Sequence, residues 1–267
     1  MKNDCLRIRN RVIDVIYGAG SGHSGGSLSC VEVLWTLYSQ VLDVRPYEPD
    51  WPGRDRFVLS KGHAAPALYV VLAEMGFFDP ELLDTLRQTG SPLQGHPDMR
   101  KLPGVEMSTG SLGMGLSVGV GMALSARLDG REHRVYVLAG DGELQEGQNW
   151  EAMMAARKYG LSNLTLIVDR NGVQLDGRTE VIMPLLEVEE KLRAFGLEVR
   201  GCDGHGVEAV YDALRWAGDA KSGPRAVVAD TVKGKGVSFM EGQSAWHGKH
   251  IEDEHYAVAK RELREGC

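Results

Sequence analysis

Asp141 stands between two glycines in the stretch GDGELQEGQNWE, with Glu143 and Glu146 close behind it. Asn171 follows the apolar run NLTLIVD, one helix and one strand further on. A carboxylate and an amide carbonyl are hard oxygen ligands, suited to Mg2+ or Ca2+. Mg2+ takes few protein ligands and fills its octahedron with phosphate oxygens and water. The flanking glycines let backbone come close to an anion, and a helix start near residues 142–148 offers it N–H groups. Plainer readings stay open: a surface turn, a calcium loop, a nucleotide turn. The stretch lacks the alternating acids and twelfth-position glutamate of an EF-hand, and neither GxGxxG nor a Walker A pattern occurs there. GDG alone is a weak signal. GDG after one buried strand with Asn after the next is stronger, because a crossover between neighbouring strands brings both residues to one sheet edge.

Four histidines, His23, His63, His96 and His247, lie in glycine-rich loops. None is paired with another at metal-ligand spacing, which argues against zinc. Imidazole titrates near working pH and can move protons on and off hydroxyl and carbonyl oxygens. The bland reading of a lone loop histidine is a surface residue. His133, His205 and His255 read as structural or solvated.

The elements that must position these groups alternate. RFVLS, RVYVLAG, NLTLIVD, LEVRGC and PRAVVADTV read as strands. The runs 28–42, AAPALYVVLAEMG, PELLDTLRQTG, GQNWEAMMAARKYG, LLEVEEKLRAFG and GVEAVYDALRWAGD read as helices. Several strands are apolar on both faces, which predicts an α/β fold: a parallel β-sheet with helices on both faces. No linker stands out, so residues 1–267 read as a single domain with a helical N-terminal part.

At 43% hydrophobic and 25% charged residues the balance is that of an ordinary globular protein. The net charge of −7, without a basic stripe, disfavours a nucleic-acid partner. MKNDCLRIRN has no apolar segment of the secretory kind. No run approaches the roughly 18 apolar residues of a membrane span. Cys5, Cys30, Cys202 and Cys267 form no CxxC pair and read as reduced thiols, so a cytoplasmic setting is expected.

GDGELQEGQNWEAMMAARKYGLSNLTLIVDRN resembles the thiamine-diphosphate motif, and its LQEG version resembles transketolase. GSGHSGGSLS, DRFVLSKGHAAPALY, GHPD, STGSLGMGLSVGVGMA, VQLDG, DGHG and VKGKGVSFME resemble further transketolase segments in the expected order, over nearly the whole chain. The resemblance implies a thiamine-diphosphate-binding fold of the diphosphate type. It implies that Asp141, Asn171 and the Val173 carbonyl bind Mg2+, with Ca2+ or Mn2+ as substitutes, and that Gly142 and the Gly110-Ser111-Leu112 backbone meet the cofactor. It further implies that His63 contacts the diphosphate, while His23, His96 and His247 face the reacting sugar, His247 also meeting the cofactor. SAWHGKH has little around it to fix its register, and His250 competes with His247. Glu146 stabilises the next helix through its dipole or, as the resemblance implies, sits at a subunit interface near the cofactor ring. Glu143 takes a variable place and gets the bland reading. STGSLGMGLSVGVG also reads as a small-residue helix packed closely on a neighbour. VKGKGVS is expected to be a mobile loop leading to the site, and the C-terminal run an exposed amphipathic helix.

In this family a glutamate of a second, pyrimidine-binding domain activates the cofactor, and no such domain follows here. The resemblance therefore implies the N-terminal subunit of a two-chain transketolase. Such a transferase would move a two-carbon ketol unit from a ketose, expected to be phosphorylated as in the pentose phosphate reactions, to an aldose. Its partner would be a separate pyrimidine-domain chain in an α2β2 heterotetramer. The alternatives are a subunit of another thiamine-diphosphate enzyme, of the deoxyxylulose-phosphate synthase or keto-acid dehydrogenase kind, and a non-catalytic scaffold.

Overall fold

Strands that are apolar on both faces must be covered twice. The computed structural model describes residues 1–265 and holds one parallel sheet of five strands in the order β1-β2-β3-β5-β4. The strands are β1 (Arg56–Leu59), β2 (Val135–Gly140), β3 (Leu164–Arg170), β4 (Glu198–Asp203) and β5 (Arg225–Asp230). Alternate residues feed two cores. Phe57, Leu59, Tyr136, Leu138 and Ile167 enter one, and Val58, Val135, Val137, Leu166 and Val168 enter the other.

The helices in chain order are α1 (Lys2–Gly18), α2 (Ser24–Ser29), α3 (Val31–Thr36), α4 (Ala65–Glu74), α5 (Met114–Leu128), α6 (Gly147–Lys158), α7 (Thr179–Ile182), α8 (Val188–Ala194), α9 (Val207–Gly218) and α10 (Asp253–Glu265). Residues of α1, α3, α4 and α9 fill the first core; those of α5, α6 and α8 fill the second. The predicted α/β architecture with helices on both faces is thus the one observed. Helix α9 follows from its pattern: Val207, Val210, Leu214 and Ala217 form one buried stripe. The small residues of α5 permit a close approach to the sheet. A Cβ at Gly115 would lie 2.3 Å from Ser60 Oγ, and one at Gly119 would lie 2.5 Å from the Val137 side chain.

Three segments differ from their sequence patterns. The run 28–42 is not one helix: the chain breaks at Cys30 (φ −109°, ψ 15°) and ends in a π-turn over Leu37–Val41. Ser29, the last residue of α2, donates its hydroxyl to Asp169 at 2.6 Å. PELLDTLRQTG forms only a 3-10 turn over Pro80–Thr85, because Leu86 becomes extended and Arg87 left-handed (φ 60°). Helix α10 is not merely exposed, since Ala259 and Leu263 are buried in the first core. Among the described residues, no helix is long and apolar enough to cross a membrane. Cys5, Cys30 and Cys202 are free thiols; Cys267 lies outside the described residues.

Candidate active site

The strand register determines where chemistry can occur. Leu59 pairs with Leu138, Gly140 with Asp169, and Arg170 with Asp230, so β1, β2, β3 and β5 end at one edge. Ligands of parallel sheets bind beyond that edge. The segments just past it carry Lys61 and His63, Asp141 and Gly142, Asn171 and Val173, and Lys233. All of these line one cleft, together with Gly26, Leu112, Glu146 and His247.

Asp141 is buried, and its carboxyl is raised above the usual range by burial and by the charge of Asp169. It accepts hydrogen bonds from the Gly142 N–H at 2.9 Å and the Gly172 N–H at 2.8 Å. The Gly142 N–H expected to meet a phosphate is therefore engaged by Asp141 itself. The Asn171 amide is oriented by its neighbours. Its Nδ2 donates to Asp169 Oδ2 at 3.2 Å; a carboxylate only accepts, so the amide oxygen faces away. That oxygen accepts from the Val173 N–H at 3.1 Å and keeps a second lone pair. The Val173 carbonyl already holds a cation, the Lys233 ammonium at 3.3 Å. One carboxylate, one amide oxygen and one carbonyl form a donor set that fits a hard dication. Gly26 and Gly142 shape the floor: a Cβ would strike the His63 ring at 2.8 Å and Gln174 at 2.7 Å, respectively.

The four loop histidines converge. His23 lies 5.7 Å from His63, 5.7 Å from His96 and 5.3 Å from His247, ring centre to ring centre. His63 and His247 are 4.7 Å apart. Burial and nearby cations disfavour the charged form of all four: His23 and His247 are each depressed to about 4, His63 well below its ordinary value, and His96 in the same direction. His250 is exposed and takes no part in the cluster. A Cβ at Gly110 would stand 3.1 Å from the His96 ring, and Leu112 reaches the cleft, while Ser111 is exposed. Glu146 precedes α6 without a capping hydrogen bond, is exposed, and has its stem against Gly113.

Several residues of this cleft carry no motif of their own. Lys61 reaches across the end of β2 to an ion pair with Asp169. Both are fully buried, and Asp169 also accepts hydrogen bonds from Ser29 and Thr231. Burial alone would depress Lys61, but the charge of Asp169 outweighs it and the ammonium is held above its ordinary value. One signal was present in the sequence, since an acid inside a strand buried on both faces needs a partner. Glu143 corrects its bland reading. It is buried, and it accepts hydrogen bonds from Ser60 Oγ, the Gly113 N–H (2.9 Å) and the Gly140 N–H (3.2 Å), which clasps the 110–113 loop to the sheet. Lys233 has no carboxylate partner among the described residues; burial and the charge of Lys61 depress it to about 8. VKGKGVS is a turn tied to α2, with the Gly234 N–H donating to the Gly25 carbonyl at 3.0 Å. His205 is structural: it bridges Glu32 (3.0 Å) and the Val232 N–H (2.8 Å), and Glu32 also pairs with Arg9 in the core.

Comparison with known proteins gives the family and the fold. Residues 2–265 match the family model for the transketolase, thiamine diphosphate binding domain. The chain is 46% identical over 261 residues to the 6-deoxy-6-sulfo-D-fructose transketolase subunit SqwG of Clostridium sp. (strain MSTE9), covering 97% of this chain and 95% of that one. It is 45% identical over 257 residues to an apulose-4-phosphate transketolase subunit from Phocaeicola vulgatus, covering 96% and 91%. The crystal structure of transketolase from Campylobacter jejuni superposes with a TM-score of 0.91 at 33% identity, over 98% of this chain but only 42% of that one.

Proposed function

The chain belongs to the transketolase family, whose thiamine diphosphate binding domain it matches, and from that premise we propose that it is the cofactor-anchoring member of a two-chain transketolase. The observation that carries this reading is a cleft that brings the hard-oxygen set together with His63 and His247, with His23 packed against both of those rings and His96 behind it. Asp141, Asn171 and the Val173 carbonyl would hold Mg2+, with Ca2+ or Mn2+ as replacements. The 110–112 backbone, His63 and Lys233 would receive the cofactor's diphosphate end, with Gly142 beside it as backbone that carries no side chain into the cleft. Bound thiamine diphosphate supplies the carbon nucleophile and electron sink of ketol transfer. His23, His96 and His247 bind the hydroxyl and carbonyl oxygens of a ketose donor and an aldose acceptor and hold the protons that must move there. Glu146, exposed at the rim, would meet a partner chain that carries the pyrimidine-binding domain, in an α2β2 assembly.

The relatives named as subunits support a separate partner, and their names specify sulfonated and phosphorylated sugars. We therefore read the donor as a ketose with an anionic end. The free thiols Cys5, Cys30 and Cys202 fit a cytoplasmic setting.

The test is to assay the purified chain alone and with the product of the adjacent reading frame, in Mg2+ and thiamine diphosphate. Hydroxypyruvate, ketose phosphates and a sulfonated ketose serve as donors. Turnover should require both chains, and Asp141→Ala should lower it by more than about a hundredfold, beyond the loss expected of a supporting contact. Full ketol transfer by this chain alone overturns the two-chain reading. Pyruvate decarboxylation in its place would assign another thiamine-diphosphate reaction, and unchanged turnover by Asp141→Ala would assign a scaffold.

A further inference from the structure

The His23 ring has a cation on one nitrogen. Arg87 Nη2 lies 3.3 Å from His23 Nδ1, and Nη1 lies 3.4 Å from Ser21 Oγ. The guanidinium has no carboxylate partner among the described residues, and its buried Nε has no hydrogen-bond partner. Local structure holds it there at some cost. Arg87 is left-handed (φ 60°), a conformation uncommon outside glycine, which clusters at functional sites. Its N–H donates to the Leu93 carbonyl at 2.8 Å, closing the turn that brings the side chain back. Gly95 leaves the space, since a Cβ there would stand 3.0 Å from Nη2.

Guanidinium carries five N–H donors, no acceptor, and does not deprotonate in proteins. The His23 nitrogen that faces it must therefore present a lone pair. In a neutral imidazole the proton then sits on Nε2. Nε2 has no hydrogen-bond partner among the described residues, and the ring edge that bears it faces Gly248, where a Cβ would stand 4.0 Å from Nε2.

We propose that Arg87 is a positioning residue that fixes His23 in its Nε2–H form, so that His23 meets the substrate as a neutral hydrogen-bond donor. This inference rests on the ketol-transfer reading of the same cleft. A ketose carbonyl oxygen gains negative charge as carbon attacks carbon, and a fixed donor aimed at that oxygen stabilises the charge without reorganisation. The same contact also opposes protonation of the ring, because a second proton would have to sit on Nδ1 against the guanidinium. In this pose His23 donates to the developing oxyanion, and any proton uptake falls to another histidine of the cluster.

The test has two arms. In the first, the chain is labelled with 15N-histidine and long-range proton–nitrogen correlation spectra are recorded at pH 7.5, with His23 assigned by His23→Gln. Wild type should show Nε2 protonated and Nδ1 bare. Arg87→Met should lose that preference, and Arg87→Lys, which keeps a cationic donor, should retain it. A protonated Nδ1 in wild type, or an unchanged spectrum in Arg87→Met, overturns the proposal whatever the enzyme's activity. In the second arm, the two-chain holoenzyme is assayed with hydroxypyruvate as donor. Arg87→Met should lower kcat by about 10- to 100-fold, below the loss of a whole oxyanion donor, with KM changed less than about threefold and Arg87→Lys restoring most of the loss. Unchanged kcat in Arg87→Met with a scrambled tautomer overturns the catalytic role. An inactive wild-type holoenzyme overturns the ketol-transfer reading and leaves the first arm to decide the tautomer.

Discussion

Lys61 and Lys233 are both buried lysines on the wall of one cleft, and their environments are opposite. Lys61 has a carboxylate, Asp169, and a full set of acceptors: the Gly26 carbonyl at 2.9 Å and Ser29 Oγ at 3.2 Å complete its shell. Lys233 has only the neutral carbonyls of Val173 (3.3 Å) and Gln174 (3.4 Å), and the His247 ring at 3.3 Å. The first charge is cancelled within the fold, and its ammonium is held above the ordinary value. The second is not cancelled, and it falls to about 8. A paired buried cation ties strands together. An unpaired one keeps its charge uncompensated by the fold.

The largest effect should come from breaking the pair. Lys61→Met leaves Asp169 charged and buried, which typically costs about 3–5 kcal/mol. Urea unfolding should reveal it as a lower midpoint at unchanged slope. Removing both charges with Lys61→Met and Asp169→Leu should recover most of that loss, because apolar replacement of a buried pair is often neutral. Equal destabilisation by Lys233→Met would erase the contrast between the two lysines.

Lys233→Met should instead leave the unfolding midpoint nearly unmoved, and should weaken thiamine diphosphate binding by roughly 10- to 100-fold, as loss of a charge-assisted hydrogen bond implies. Titration calorimetry on the two-chain complex measures it. Intact cofactor affinity would mean that Lys233 serves the fold as Lys61 does.

A smaller effect concerns pH. His23 is depressed from an ordinary 6.5 to about 4, by burial first and then by Arg87. The folded chain thus refuses a proton that the unfolded chain accepts. Its contribution to stability is complete above about 6.5 and is lost as the pH falls from there towards 4. Urea midpoints measured across that window should fall for wild type and fall less steeply for His23→Gln. Parallel curves would mean that His23 is as solvated as an unfolded histidine.

Much of this architecture is legible locally. The runs that became β2, β3 and β5 are apolar on both faces, and such runs have few folds open to them. Asp141 and Asn171 are placed by strand order alone, because each directly follows a strand. The four histidines carry no pattern of their own, and their resemblance to transketolase segments is what joins them. The remaining features depend on contacts between distant segments. Lys61 follows β1 and Asp169 lies in β3, with β2 between those strands, so no spacing links them. Glu143 looks like one more acid in an acidic turn until Ser60 and the Gly113 and Gly140 N–H groups close on it. PELLDTLRQTG has helical spacing, but tertiary structure stops it after a 3-10 turn and carries Arg87 back towards His23.

The bridge through His205 bears on engineering. Arg9 in α1 grips Glu32 in α3, Glu32 holds His205, and His205 accepts the N–H of Val232, the residue before Lys233. The backbone that presents Lys233 is therefore hung from the first helix of the chain, far from the strand edge where the chemistry sits. A cleft transplanted to another scaffold with its sheet and loops but without α1 and α3 would bring the lysine and leave behind what aims it.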